Sequence, residues 1–293
     1  MKRYFHGGNK QGPYFEGWYF KCQTQAGDAI AVIPALHIES GGQESASIQV
    51  IFGNGSWWVE FAASRFHAAE DRLQIEIGGN VFSGSGMSLN LKQEGFSLCG
   101  RVDFGPLLPL KSDIMGPFRF LADMECAHDV ISMRHPVRGQ LILNGAVYSF
   151  GGGTGYIETD RGRSFPSAYL WTQCLWQESS LMLSIAAIPL GRLRFTGCIC
   201  AIVHHGKEYR LATYRGAGTE SWSGRGAVVR QGKYRLEVTL LEDKSQPLLA
   251  PADGVMGRTV HESIHAKTRY RFWAGQTLLF DHTDCRASFE TSQ

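Results

Sequence analysis

Long apolar runs are missing from this chain. None reaches the ~18 residues that a membrane-spanning helix needs, and the N-terminal segment MKRYFHGGNKQGPY has no apolar h-region. Neither a helical membrane span nor a signal peptide is therefore expected. Charge of one sign is missing too: 29 lysines and arginines face 27 acids, for a net charge of +2. That balance gives no electrostatic footprint for nucleic acid or an acidic membrane. Charged residues are scarce at 19% while aromatics reach 12%, which argues against disorder. Seven cysteines, an odd number without framework spacing, read as reduced thiols in a cytoplasmic protein. There is no Walker loop, no G-x-G-x-x-G opening a helix and no G-x-S-x-G nucleophile elbow.

Helical periodicity is also almost absent, and period-two alternation takes its place. Glu16, Trp18, Phe20 and Cys22 share one face of a strand that begins in PYFEGWYFK. Similar runs follow at 30–38, 48–52, 57–61, 73–77, 87–91 and 96–104, separated by the glycine-rich breaks GGQ, GNGS, GGN and SGSG that tight antiparallel turns require. Asn144-Gly145 between apolar flanks is the clearest hairpin. The proline-bearing stretch 104–118 resists strand pairing and reads as a linker, and QPLLAPADGVMG reads as a separator before the last strands. Roughly twenty short strands at 8–12-residue spacing imply an all-β barrel or sandwich architecture. With 293 residues, 43% of them hydrophobic, two successive barrels suit the length, with a division expected between 1–137 and 138–293.

The densest stretch is GGGTGYIETDRGRSFPSAYLWTQCLW, from Gly151 to Trp176. Its glycines permit positive φ or close backbone approach, and it places Glu158 beside Tyr156 before a strand-like run from Tyr169. Two metal motifs compete for attention elsewhere. His261-Glu262-Ser263-Ile264-His265 matches H-E-x-x-H, whose chemistry needs a helix. Its surroundings alternate, so the motif reads as a strand face with Glu262 pointing away from the histidines. Cys198, Cys200 and His204 could share a strand face, yet lack the tight turn of a zinc site; the cysteines read as small hydrophobes. No metal and no cofactor are expected.

What remains is a set of carboxylates and histidines in apolar sequence: Glu16, Glu125, His128, His135 and Glu158. A carboxylic acid in an apolar cavity has its pKa raised and can act as a general acid near neutral pH. Aromatic faces can stabilise a developing carbocation by cation–π attraction. Pairing of these acids with Arg134, Arg161 or Arg163 is the structural alternative.

Three segments, PYFEGWYFK at 13–21, MGPF…MECAHDVISMRH at 115–135 and GYIETDRGRSFPSAYLWTQC at 155–174, together resemble the tocopherol cyclase family, its bacterial members in particular. The resemblance implies two tandem lipocalin-like antiparallel β-barrels with little helix. It also implies cofactor-free ring closure in which an acid protonates a prenyl double bond and a phenolic oxygen attacks the tertiary cation. Carried over, the first motif supplies Glu16, Trp18 and Tyr19, the second Glu125, His128 and His135, and the third Tyr156, Glu158, Trp171 and Gln173. Glu158 or Glu125 would be the proton donor, with His128 or His135 relaying or orienting. Trp18, Tyr19, His135, Tyr156, Trp171 and Gln173 would contact a hydrophobic, prenylated or lipid-like small molecule. The alternative is a non-catalytic lipocalin-type carrier in which the carboxylates only hold the polar head of the ligand. The sequence departs from the family at Thr159 and Arg161, where lysine and tryptophan are frequent, and at 282–286, where small residues are expected.

Overall fold

The computed structural model describes residues 3–53, 55–120, 124–190 and 193–292. Alternation becomes strand almost throughout, and helix among the described residues is limited to short 3₁₀ turns. The chain divides into two compact units: 1–109, 128–165 and 250–258 form the first, and 110–127, 166–249 and 259–293 the second.

The first unit is built on β1 (Tyr14–Gln23), β2 (Ala29–Ile38), β3 (Glu44–Phe52), β4 (Gly55–Ala62), β5 (Phe66–Ala68), β6 (Gln74–Ile77), β7 (Asn80–Ser83), β8 (Gly86–Gln93), β9 (Phe96–Phe104), β10 (Cys126–Leu143), β11 (Ala146–Ser149) and β12 (Gly153–Gly162). These form one antiparallel sheet in the order β4-β3-β2-β1-β12-β10-β9-β8-β7-β6-β5, with β11 also on β10. Residues from both halves of that order, among them Ile48, Ile75, Phe82 and Leu98, join Trp18 and Phe20 in a single apolar cluster. The sheet therefore curls round its own core, as a barrel does.

The other sheet, which lies in the second unit apart from 250–258, carries β13 (Tyr169–Trp176), β14 (Ser179–Leu190), β15 (Leu193–His204), β16 (Lys207–Ala212), β17 (Gly218–Ser223), β18 (Gly226–Gln231), β19 (Tyr234–Glu242), β20 (Gln246–Ala252), β21 (Val255–Ala274) and β22 (Thr277–Ser292). Their order is β16-β15-β14-β13-β22-β21-β19-β18-β17, with β20 on β21. A core of Leu170, Leu183, Ile202, Val229, Tyr270 and Phe289, drawn from strands across that order, fills its interior.

Three expectations meet the structure differently. Asn144 and Gly145 both adopt positive φ and pair Leu143 with Ala146, so the hairpin forms as the Asn-Gly signal implies. QPLLAPADGVMG is not a separator: it folds into β20, turns at Asp253-Gly254 and enters β21. Its prolines lie in β20, which pairs with β21 off the main path of the sheet, and the Pro251 carbonyl accepts the Phe165 N–H at 3.1 Å. A division at 137/138 would cut β10, which is continuous from Cys126 to Leu143. The first unit instead keeps β12, because β12 pairs along β1 without interruption from Phe15–Gly162 to Gln23–Thr154.

That uninterrupted register has a consequence for every side chain on the two strands. Tyr14, Trp18, Phe20 and Cys22 of β1 and Ile157 of β12 belong to the inner core. Successive side chains alternate across a sheet, so Glu16 also points inward. Tyr19 and Lys21 on β1, and Tyr156, Glu158 and Asp160 on β12, lie on the outer face. This face is buried as well: Tyr19, Lys21, Tyr156 and Glu158 are all under a tenth exposed.

The same outer face carries His37 on β2, whose Nε2 lies 2.9 Å from Ser47 Oγ on β3. Burial lowers this imidazole from 6.5 to about 4. The unfolded chain takes up a proton below pH 6.5 that the folded chain refuses until pH 4, so stability falls as pH drops across that window. At about 1.4 kcal/mol per pKa unit the loss reaches ~3 kcal/mol. His37→Gln is expected to remove this loss, measured as a smaller difference between urea unfolding free energies at pH 7 and pH 4.

Candidate functional site

The outer face of β12 and β10 holds a group of neighbouring ionisable side chains. Tyr156, Glu158 and Asp160 are two residues apart on β12 and so project together; β10, its neighbour in the sheet, brings His128. His128 Nδ1 is 2.9 Å from Asp160 Oδ1, and its Nε2 is 3.2 Å from Glu158 Oε2. This second approach lacks the alignment of a hydrogen bond. The Tyr156 hydroxyl donates to Glu158 Oε2 at 2.5 Å. Tyr19 stands opposite Glu158 and Lys21 opposite Tyr156 in the β1 register.

Burial sets the electrostatics of this cluster. It raises Glu158 above the ordinary carboxylate range, against the lowering pull of His128 and of the Tyr156 hydroxyl. It would by itself lower His128, but the Asp160 and Glu158 carboxylates outweigh it and hold the imidazole well above its ordinary value. Burial, reinforced by Glu158, keeps the Tyr156 phenol protonated. The buried Lys21 amine lies on the same face; taken by themselves, an Asp160 carboxylate, a His128 imidazolium and a protonated Glu158 carry no net charge. In that state Glu158 carries a proton it can give away, and the anion left behind would face an imidazolium and a phenol donor. The ligand atoms of His128, Glu158 and Asp160 lie within 4.8 Å of one another, so the same donors have the spacing to hold a cation.

Glu16 is placed elsewhere, on the inner face. Its carboxylate accepts the His6 backbone N–H at 2.8 Å and the Tyr14 hydroxyl at 2.8 Å, and lies 3.0 Å from His6 Nδ1. Trp18 is also inside, fully buried and packed with Phe5 and Phe66 at 6.3 Å between ring centroids. His135 packs on Phe104 at 4.6 Å, with Nδ1 3.0 Å from Ser132 Oγ. Burial lowers it to about 3, so at pH 7 it stands as a neutral imidazole. A Cβ at Gly155 would collide with the His135 ring, which accounts for that glycine in the dense stretch. Thr159 and Arg161, the departures from the family pattern, point to the inner face by alternation. Thr159 donates to the Gly17 carbonyl at 2.8 Å, and Arg161 stands opposite Glu16. Neither projects with Glu158.

The other expected residues belong to the second unit. Glu125 sits half-buried in a bend just before β10. Trp171 and Gln173 are buried on β13, opposite Glu290 and Ser288 of β22. Sequence reasoning did not single out Asp160, although it lies two residues beyond Glu158 on a strand; that spacing was the available signal. H-E-x-x-H falls on β21, with His261 exposed and Glu262 buried, as a strand requires. Cys198 and Cys200 are core residues. Burial pushes the Cys198 thiol up to about 12 and the Cys200 thiol well above its ordinary value.

No protein-family model matches the chain, and no curated protein matches it. Several solved structures do. A CghA with bound Sch210972 aligns with a TM-score of 0.60 at 10% identity over 96% of this chain and 88% of that one. A candidate AttH of Nitrosomonas europaea aligns with a TM-score of 0.55 at 12% identity over 95% and 92%. A kievitone hydratase from Nectria haematococca does so with a TM-score of 0.55 at 9% identity over 96% and 89%. The fold is a lipocalin-like double barrel. At such low identity the likeness carries the architecture alone, and the chemistry must be argued from the side chains.

Proposed function

We propose that this lipocalin-like double barrel is a cofactor-independent acid catalyst that cyclises or hydrates a prenylated quinol or similar isoprenoid, with Glu158 as proton donor. The observation that carries this reading is the buried Asp160–His128–Glu158–Tyr156 set. Glu158 gives its proton to one carbon of a double bond, and the π pair forms the new C–H bond. The tertiary cation left on the other carbon is attacked by a phenolic oxygen or by water. The proton released from that oxygen returns to the Glu158 carboxylate, so protons balance over the cycle. His128 and Tyr156 stabilise the carboxylate in between, and Asp160 holds His128 in its charged form. The hydratase among the similar folds supports the water-addition branch.

A prenylated quinol incubated with the protein is expected to yield the ring-closed or hydrated product by mass and chromatography. Only the protonated form of Glu158 is competent, so the rate should fall as pH rises through its raised pKa. A rate that is flat or rises over that range contradicts the acid role. Tight binding with no product would assign the chain to ligand carriage instead.

A further inference from the structure

The interior of the second unit contains a second, separate constellation. Cys174 on β13 and His282 and Asp284 on β22 bring thiol, imidazole and carboxylate donors within 4.8 Å of one another. We propose that these three side chains form a binding site for a borderline-soft divalent cation, with Zn²⁺ the best match to the donors. Tetrahedral zinc ligands at about 2.0–2.3 Å from the metal stand roughly 3.3–3.8 Å apart. His282 Nε2 and Asp284 Oδ2 are already 3.3 Å apart, so an inward movement of ~1 Å elsewhere completes the set.

The surroundings hold these donors in place. Trp176 stacks on the His282 ring with centroids 4.7 Å apart and planes inclined by 14°. The Arg286 backbone N–H donates to Asp284 Oδ1 at 2.7 Å and its Nε to the same oxygen at 3.3 Å, while Nη2 reaches Oδ2 at 3.5 Å. Oδ1 is thus anchored and Oδ2 turned toward His282, the outer-shell arrangement that orients a ligating carboxylate. Tyr270 also faces the group, as an electrostatic neighbour of both Cys174 and Asp284. Arg286 opposes an incoming cation, which Cys174 offsets by binding as thiolate and releasing its proton to solvent. Cys174 is fully buried whereas the His282 side chain is 25% exposed, so the imidazole marks the way in. Three protein donors leave a fourth position for water. A thiolate with an imidazole favours zinc over calcium or magnesium.

The test uses the full chain, stripped with chelator and titrated with Co²⁺. One equivalent is expected to produce a thiolate-to-metal charge-transfer absorption that Zn²⁺ displaces. The absorption should vanish in Cys174→Ala and persist in Cys285→Ala, which removes the exposed neighbouring thiol. His282→Gln, a change at a partly exposed position, should weaken Co²⁺ binding at least tenfold and abolish the rise in melting temperature that Zn²⁺ gives the wild type. No charge-transfer absorption in the wild type, its persistence in Cys174→Ala, or unchanged affinity in His282→Gln would overturn the proposal. In those cases the group is an ion pair of His282, Asp284 and Arg286 beside a thiol that serves as a small hydrophobe.

Discussion

Replacing Glu158 by glutamine is expected to lower turnover of a prenylated quinol by about 10²–10⁴-fold, the usual contribution of a positioned general acid. Glutamine keeps the shape of the side chain and can still accept the Tyr156 hydroxyl through its amide oxygen. It cannot release a proton to a double bond. It also takes a buried titratable group out of the fold, so stability at pH 7 should hold or rise, because glutamine carries no cost of protonating a carboxyl that the unfolded chain ionises. The split between rate and stability is the informative result. Loss of both together would make Glu158 a structural residue, whereas unchanged turnover would remove it from the chemistry. The linked titrations sharpen the expectation. Glu158 and His128 both have raised values in the fold, so their favourable contribution is present in full below their unfolded pKa values and is lost as pH rises through the folded ones. Glu158→Gln should therefore flatten stability against pH on the alkaline side as well as slow the reaction.

Trp18→Ala is expected to do the opposite, destabilising the chain by about 3–5 kcal/mol. Trp18 is fully buried among Phe5, Phe66 and the inner cluster of the first unit, and nothing small can refill the volume of an indole. Its place opposite Thr159 on the inner face turns it away from Glu158. Chemical denaturation should show the loss as a lower midpoint with the slope preserved. At temperatures where the variant stays folded, turnover per folded molecule should be close to wild type. A variant with wild-type stability and a large defect in turnover would instead make Trp18 a substrate contact, as the family resemblance implies.

The contrast between Glu16 and Glu158 shows where sequence reading stopped. Alternation within each strand was plain, so the inward set Glu16, Trp18, Phe20 was legible, as were the Asn144-Gly145 turn and the all-β class. Whether two carboxylates meet depends on the pairing between strands. Here β1 pairs with β12, from which it is separated by more than a hundred positions, and the register sets Glu16 against Arg161 and Tyr19 against Glu158. Even-numbered residues of one strand therefore lie opposite odd-numbered residues of the other. Glu16 and Glu158, both even, must face opposite sides of the sheet. No local signal contains that parity. The same holds for Cys174, His282 and Asp284, which the pairing of β13 with β22 brings together. The continuity of β10 was hidden differently: Pro136 interrupts the run in the sequence, but its ring is tolerated within a long strand. Asp160 could have been found, since it repeats the spacing that links Tyr156 to Glu158.

Acid catalysis by this site requires a protonated Glu158 beside a charged His128 at neutral pH. Infrared difference spectroscopy of wild type against Glu158→Gln at pH 7 measures this without a substrate. The account predicts the C=O stretch of a protonated carboxylic acid in the wild type, absent from the variant and fading as pH rises. An ionised carboxylate signal at pH 7 in its place would contradict it.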